Sequence, residues 1–138
     1  MGNGIFLLCY YVPVTAQDAI QKWREGAQRA LAAAQAVYDI GDYTLTLFHC
    51  HLAVEKALKA EFLKQQNTAP PYTHNLALLA GKSGKVFTDD EIAFLDELTE
   101  YNVYGRYDDT QWMGERATSE NALKWLQYAR SFLSSLGL

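Results

Sequence analysis

The chain has 138 residues, which fits one domain, and its 49% hydrophobic and 20% charged residues are typical of a globular protein. A net charge of −4 at pH 7 argues against a protein whose whole surface binds nucleic acid. Two cysteines are too few for a disulfide framework and favour a reducing cytoplasm, and no segment approaches the roughly 20 apolar residues of a membrane span.

Residues 1–14 precede the first helical pattern. The segment Ile5–Val12 is apolar but short, and it lacks a basic flank and a small-residue cleavage site, so it is a poor signal peptide. We interpret residues 1–14 as a strand-like or disordered extension, or as the result of a misassigned start codon. The helical domain is predicted to span residues 15–138.

Apolar residues at helical spacing predict two long helices in the first half of the chain. The first runs from about Ala16 to Ile40 and begins after Thr15, which is a capping residue. The second begins after Asp42, a favourable N-cap, and reaches about Gln65. Its first half is apolar on nearly every side, which predicts that it is the central helix of a bundle.

Three further helices are predicted in the second half. A short helix over His74–Ala80 is capped by Thr73, a capping box over Thr88–Glu91 opens the next helix, and the last begins near Thr118. The segment Tyr101–Gly114 contains two glycines and has no clear period, so we interpret it as a helix end fraying into a loop. Short connections imply antiparallel neighbours. The predicted fold is all-α, an antiparallel up-and-down bundle of four long helices plus one short helix.

The histidines of the central helix do not predict a metal site. His49 and His51 are two positions apart, about 200° around a helix, so they point to opposite sides. His51 and Glu55 are four apart and could share a metal ion, but no third ligand is evident. We therefore expect no metal and interpret each histidine as a half-buried side chain with a neighbouring hydrogen-bond partner.

His51, Glu55 and Lys59 form a row at i, i+4 and i+8 on one face of the central helix. Glutamate before lysine at this spacing is the favourable order for an ion pair. The row is either a solvated stripe of charges or a partly buried polar row that binds a ligand. The apolar character of the helix indicates that the row is partly buried, but it does not decide between the two interpretations.

The segment Tyr104–Asp109 places Arg106 between two tyrosines in a glycine-containing loop. This arrangement favours a contact with a phosphate or a base. An internal clamp, in which Arg106 pairs with Asp108 or Glu55, explains the pattern equally well. The chain contains no glycine-rich phosphate loop and no nucleophile elbow.

Three segments follow one another in a recognisable order: FHCHLAVEKALKAEF (Phe48–Phe62), PPYTHNLALLA (Pro70–Ala80) and YNVYGRYDD (Tyr101–Asp109). Together they resemble the HEPN domain family, in which an A-x-E-K-x-x-K helix is followed by a proline-rich turn leading to T-H-x-L and by a late Arg-Tyr pair. The resemblance extends from about Ala16 to Leu136.

The resemblance implies a helical bundle that is usually a homodimer and is commonly encoded beside a minimal nucleotidyltransferase, as a toxin–antitoxin or nucleotide-handling module. It predicts a cytoplasmic, non-catalytic partner domain that associates with a nucleotide or RNA and needs no cofactor. Seven residues are predicted to form the ligand site. They are Lys59, His74 and Arg106 as phosphate-directed donors, Tyr104 and Tyr107 as stacking rings, and Glu55 and Asp108 as orienting acids.

Many HEPN proteins are metal-independent RNases that use an R-x4–6-H motif at the dimer cleft. Here Arg106 is followed by YDDTQWM, and no histidine occurs later in the chain, so the motif lacks its general acid–base. One alternative is an RNase toxin with a diverged site, in which Arg106 stabilises the transition state and His74 or His51 replaces the missing histidine. Another is a structural dimer in which the polar row only fixes helix register.

Overall fold

The computed structural model describes residues 15–102 and 110–138, and these ranges form a bundle of helices without a strand. The helices are α1 Ala16–Asp39, α2 Tyr43–Gln66, α3 Leu76–Lys82, α4 Asp89–Thr99, α5 Thr110–Arg116 and α6 Ser119–Ser135. The predicted all-α bundle is confirmed, with two short helices rather than one. None of the helices in the described ranges has the length and apolarity needed to cross a bilayer. The predictions for residues 1–14 lie outside the described residues.

The first two helices form a closely packed pair joined by a tight turn. Gly41 takes a φ of 84°, a conformation that favours glycine, and Asp42 then caps α2 by accepting from the backbone N–H of Leu45. On α1 the buried side chains are small, with Ala27 and Ala34 fully enclosed. Small side chains at the contact allow the two helix axes to approach closely.

The core is built around α2, which packs against α1, α3 and α6. Trp125 of α6 is fully buried, and the rings of Phe94, Tyr101 and Tyr128 lie 5.3 to 6.0 Å from it. Such aromatic pairs contribute about 0.5–1.5 kcal/mol each beyond the area they bury. This aromatic cluster therefore joins α4 and the residue two positions after it, Tyr101, to α6.

The short helix α3 begins two residues later than predicted. Asn75, not Thr73, is its N-cap, since the Asn75 side chain accepts from the backbone N–H of Leu78. The Thr73 hydroxyl instead accepts from the backbone N–H of Asn75. This leaves His74 in an extended segment before the helix, and Gly81 lies inside the helix rather than after it.

The predicted loop over Tyr101–Gly114 was wrong in part, because α5 begins at Thr110. The Trp112 ring lies 5.6 Å from the Tyr101 ring, and the Arg116 guanidinium lies 4.3 Å from the centre of the Trp112 ring. A helix of seven residues depends on such tertiary contacts rather than on its own propensity. Apolar periodicity is therefore too weak to reveal it.

Candidate functional site

The polar row of α2 lies inside the protein. His51, Glu55 and Lys59 are 1%, 4% and 6% exposed, so the interpretation as a solvated stripe is wrong. Glu55 Oε2 accepts a hydrogen bond of 2.8 Å from Lys59 Nζ. A buried charge of either sign without its partner would cost several kcal/mol, about 3–5 by analogy with broken buried pairs. The Glu55–Lys59 ion pair avoids this cost, because each buried charge has the other as its partner.

The segment between α2 and α3 brings His74 back to the middle of α2. Helix α2 is closed by its C-cap residue Asn67, which has a φ of 53°, and Pro70-Pro71 prevents a new helix from starting at once. The chain then runs back along α2. His74 Nδ1 donates to Glu55 Oε1 at 3.0 Å, and the His74 carbonyl accepts from His51 Nε2 at 2.9 Å. We call His51, Glu55, Lys59 and His74 the Glu55 cluster.

His51 is the least exposed member of the cluster. Its Nε2 must carry a proton, because the His74 carbonyl can only accept. Its Nδ1 lies 3.7 Å from Glu55 Oε1 and makes no hydrogen bond with any described residue. Burial lowers the pKa of His51 below 6.5, outweighing the hydrogen bond to His74 and the charge of Glu55, which raise it. The ring is therefore neutral at pH 7, with an acceptor at Nδ1.

His74 is the exposed member of the cluster, with 51% of its side chain accessible. Its Nδ1–H is held by Glu55, and the Tyr72 ring lies 5.9 Å from its own ring. A carboxylate that binds one ring nitrogen fixes both the tautomer and the orientation of an imidazole. In the neutral ring, the second nitrogen, Nε2, is left as an acceptor for a ligand or a proton.

Beside the cluster lies a cleft of about 400 Å³, which we call the Glu55 cleft. It is lined by Phe48, His49, His51, Leu52, Glu55, His74 and Asn102. This volume lies within the usual range for small-molecule sites, as does the combination of apolar walls with a few polar groups. Among the described residues, no group of three histidine, cysteine or acidic side chains could hold a metal ion.

The structure brings together three of the predicted site residues, Glu55, Lys59 and His74. Lys59 is behind Glu55 and does not line the cleft. The remaining four, Tyr104, Arg106, Tyr107 and Asp108, lie outside the described residues.

Sequence reasoning missed two features of this cleft. It did not give His51 a part in positioning His74, and it did not single out Asn102. The T-H-N-L order was the available signal for the first feature, since it places His74 before a helix start where its carbonyl is free to accept. No motif pointed to Asn102.

Comparisons with known proteins agree with this architecture. No curated protein sequence matches the chain. The crystal structure of TT1696 from Thermus thermophilus is similar, with a TM-score of 0.75 and 24% identity over 86% of this chain and 95% of that one. A likeness at this identity shows the fold. The family model of the HEPN domain matches residues 20–137, nearly the whole chain, and the protein therefore belongs to the HEPN domain family.

Proposed function

We propose that this HEPN protein binds a nucleotide or RNA without cleaving it and acts with a minimal nucleotidyltransferase in a toxin–antitoxin-like module. The observation that carries the proposal is the Glu55 cleft, where a buried carboxylate orients a half-exposed histidine beside apolar walls. Leu52 offers apolar surface for a base, and His74 in its charged form is a donor for a phosphate.

We assign Arg106 to the same site because it is close in sequence to Asn102. Asn102 lines the cleft, and Arg106 follows four residues later, within about 14 Å of extended chain. Tyr104, Tyr107 and Asp108 belong to the same segment. After its hydrogen bond to Glu55, the Lys59 ammonium has two N–H groups left. A contact with a phosphate would therefore have to be made while Lys59 stays bound to Glu55.

Binding of 5′-AMP and of a short oligouridylate, measured by calorimetry, tests this proposal. We expect His74→Ala and Arg106→Ala to reduce binding at least tenfold, and Arg106→Ala to leave the melting temperature unchanged. His74→Ala also removes a hydrogen bond from the buried Glu55 carboxylate, so it should melt earlier. Arg130→Ala, which removes an exposed arginine from α6, is the matched control and should bind normally. An Arg106→Ala protein that melts earlier but still binds would show that Arg106 is an internal clamp, and the structural alternative would then replace the ligand site.

One observation favours a second candidate function, the diverged RNase. The Glu55–His74 pair has the arrangement of a general base whose tautomer is fixed by a carboxylate, with Nε2 free for the proton transfer. Arg106 would then stabilise the charge that develops on the phosphate. His51 is enclosed and bound to the His74 carbonyl, so His74 is the better replacement for the missing histidine.

Incubation with mixed-sequence RNA in EDTA separates the two functions. The non-catalytic proposal predicts no cleavage above that of a mock purification. Cleavage that disappears in both His74→Ala and Arg106→Ala, but persists in Arg130→Ala, would establish the RNase instead.

A homodimer is part of the proposal. Several large apolar side chains are exposed on the single chain, among them Tyr72, Val86 and Phe94. Static light scattering at micromolar concentration should give twice the chain mass of 15.5 kDa. A mass of one chain would remove the dimer and any site built across two subunits.

The nucleotidyltransferase partner rests on the family membership alone. If the adjacent gene encodes such an enzyme, we expect the two proteins to co-purify when expressed together from an operon with a tag on one of them. Failure to co-purify, with both proteins folded, would argue against this partner without affecting the ligand site.

A further inference from the structure

A second concave surface lies between α1 and α2, and its lining differs from that of the Glu55 cleft. This cavity, of about 330 Å³, is lined by Ala19, Lys22, Trp23, Gly26, Arg29 and Lys56. We call it the basic groove. It contains three cationic side chains and no acidic one.

The cations of the basic groove lack partners in the described part of the chain. Lys22, Arg29 and Lys56 form no ion pair with any residue in the ranges 15–102 and 110–138. Glu25, which is near two of them in sequence, accepts a hydrogen bond from a neighbouring glutamine instead. In a protein with a net charge of −4, these three cations make the groove a local positive region.

Gly26 allows Lys56 to join the two cations of α1. A Cβ at position 26 would lie 3.0 Å from Lys56 Cδ and 3.4 Å from its Nζ, so the lysine side chain crosses α1 at the glycine. Lys22 and Arg29 are four residues before and three residues after Gly26, on the same face of α1. The three positive charges therefore line one groove although they come from two helices.

Lys59 connects the basic groove with the Glu55 cleft. Its Nζ lies 5.3 Å from the centre of the Trp23 ring, which lines the groove, and 2.8 Å from Glu55, which lines the cleft. The ammonium is thus held between an aromatic ring and a carboxylate. One lining residue of each concave surface therefore contacts the same buried lysine.

We propose that the basic groove binds the phosphate backbone of single-stranded RNA as a second subsite beside the Glu55 cleft. A cationic channel that contains an aromatic ring is the general design for binding single strands without sequence preference. An acidic polypeptide would match the charge, but it offers no flat bases for Trp23. The inference rests on the proposed function for the identity of the ligand as RNA.

The test compares two triple variants by the salt dependence of binding to a fluorescent oligouridylate of about 12 nucleotides. One variant is Lys22→Gln/Arg29→Gln/Lys56→Gln. The control, Lys64→Gln/Lys82→Gln/Lys85→Gln, removes the same charge from exposed lysines elsewhere. Three lost phosphate contacts should reduce the slope of log K against log salt by about 2 between roughly 50 and 200 mM NaCl. The affinity at the lower salt concentration should fall at least tenfold, and the control should keep the wild-type slope.

Three results would overturn the inference. They are equal losses in both triple variants, which would indicate bulk charge only; wild-type binding to polyglutamate as tight as to the oligouridylate; and no binding of the oligouridylate by the wild type. Binding of 5′-AMP distinguishes failure of this inference from failure of the proposed function, because one nucleotide fits the Glu55 cleft alone. The groove variant should bind 5′-AMP normally, whereas His74→Ala should not.

Discussion

The buried residues of α2 form two sets that are enclosed to nearly the same extent but by different means. An apolar set, which includes Leu47 and Leu58, is fully enclosed by apolar neighbours. A polar set, which consists of His51, Glu55 and Lys59, is enclosed through hydrogen bonds within the set and to His74. Burial alone therefore does not distinguish the core of this protein from its candidate site.

The two sets differ in what burial contributes to stability. A buried leucine contributes about 1.5–3 kcal/mol through the area it removes from water. A buried ion pair such as Glu55–Lys59 contributes little net stability compared with apolar residues of the same volume. The apolar set thus accounts for most of the stability of α2. The polar set is better explained by the histidine that it orients towards the cleft.

The largest expected effect is on the apolar set. Leu58→Ala should reduce the free energy of unfolding by about 4 kcal/mol, since it removes a fully buried side chain and leaves a cavity. Leu45→Ala is the matched control, because Leu45 lies on the same helix but is 40% exposed, and it should cost less than about 1 kcal/mol. Urea denaturation followed by circular dichroism gives both values. Equal losses would mean that the apolar set is not the main source of stability.

The next effect concerns the ion pair. Glu55→Leu should cost about 3 kcal/mol, because it leaves the Lys59 ammonium buried without its carboxylate. Adding Lys59→Met should recover most of this loss, so that the double variant unfolds near the wild-type midpoint.

The double variant also separates stability from function. If it is as stable as the wild type but no longer binds 5′-AMP, the polar set is needed for binding only. If it is as unstable as Glu55→Leu alone, the pair holds the helices together, and the contrast between the two sets of buried residues disappears.

Much of the fold could be predicted from sequence because local signals agree with the tertiary structure. The ends of α1, α2, α4 and α6 carry capping residues, and the buried positions of α6 follow a helical period. The α5 helix could not be predicted, since it depends on ring contacts of Trp112 that join distant parts of the chain. Thr73 and Asn75 compete as N-caps for α3, and composition does not decide between them.

The candidate site could be predicted only in part. The spacing of Glu55 and Lys59 gives their ion pair directly, because i and i+4 are neighbours on a helix. The approach of His74 to Glu55 depends on the path of an extended segment, which no periodicity describes. In the basic groove, Lys56 packs against α1 because Gly26 has no side chain there. An isolated glycine in a helix does not reveal which side chain packs against it.

A smaller effect, on pH dependence, also distinguishes the polar set. Because the pKa of His51 is lowered in the folded state, the unfolded chain binds more protons at this site below pH 6.5, and stability falls as the pH falls. The contribution is at most about 1.4 kcal/mol per pH unit. His51→Gln keeps a donor for the His74 carbonyl and should lose less stability between pH 7 and 5 than the wild type.

Urea denaturation at several pH values measures how the stability of the wild type and of His51→Gln depends on pH. The same pH dependence in both proteins would show that folding leaves the pKa of His51 unchanged.

The smallest effect tests whether the segment that carries His74 unfolds with the rest of the bundle. α3 is attached to α4 by a hydrogen bond from Leu76 N to Thr99 Oγ1, and it anchors the segment that carries His74. Gly81 lies inside α3, and an added Cβ would meet nothing within 4 Å, so Gly81→Ala should stabilise the helix by about 0.5–1 kcal/mol. Gly41→Ala is the control, since its Cβ is equally free but its φ of 84° disfavours alanine, and it should destabilise by about 1 kcal/mol. If α3 unfolds together with α2, the gain appears in global urea unfolding. A gain seen only as slower amide exchange within α3 would show that α3 and the segment that carries His74 open separately, while α2 stays folded.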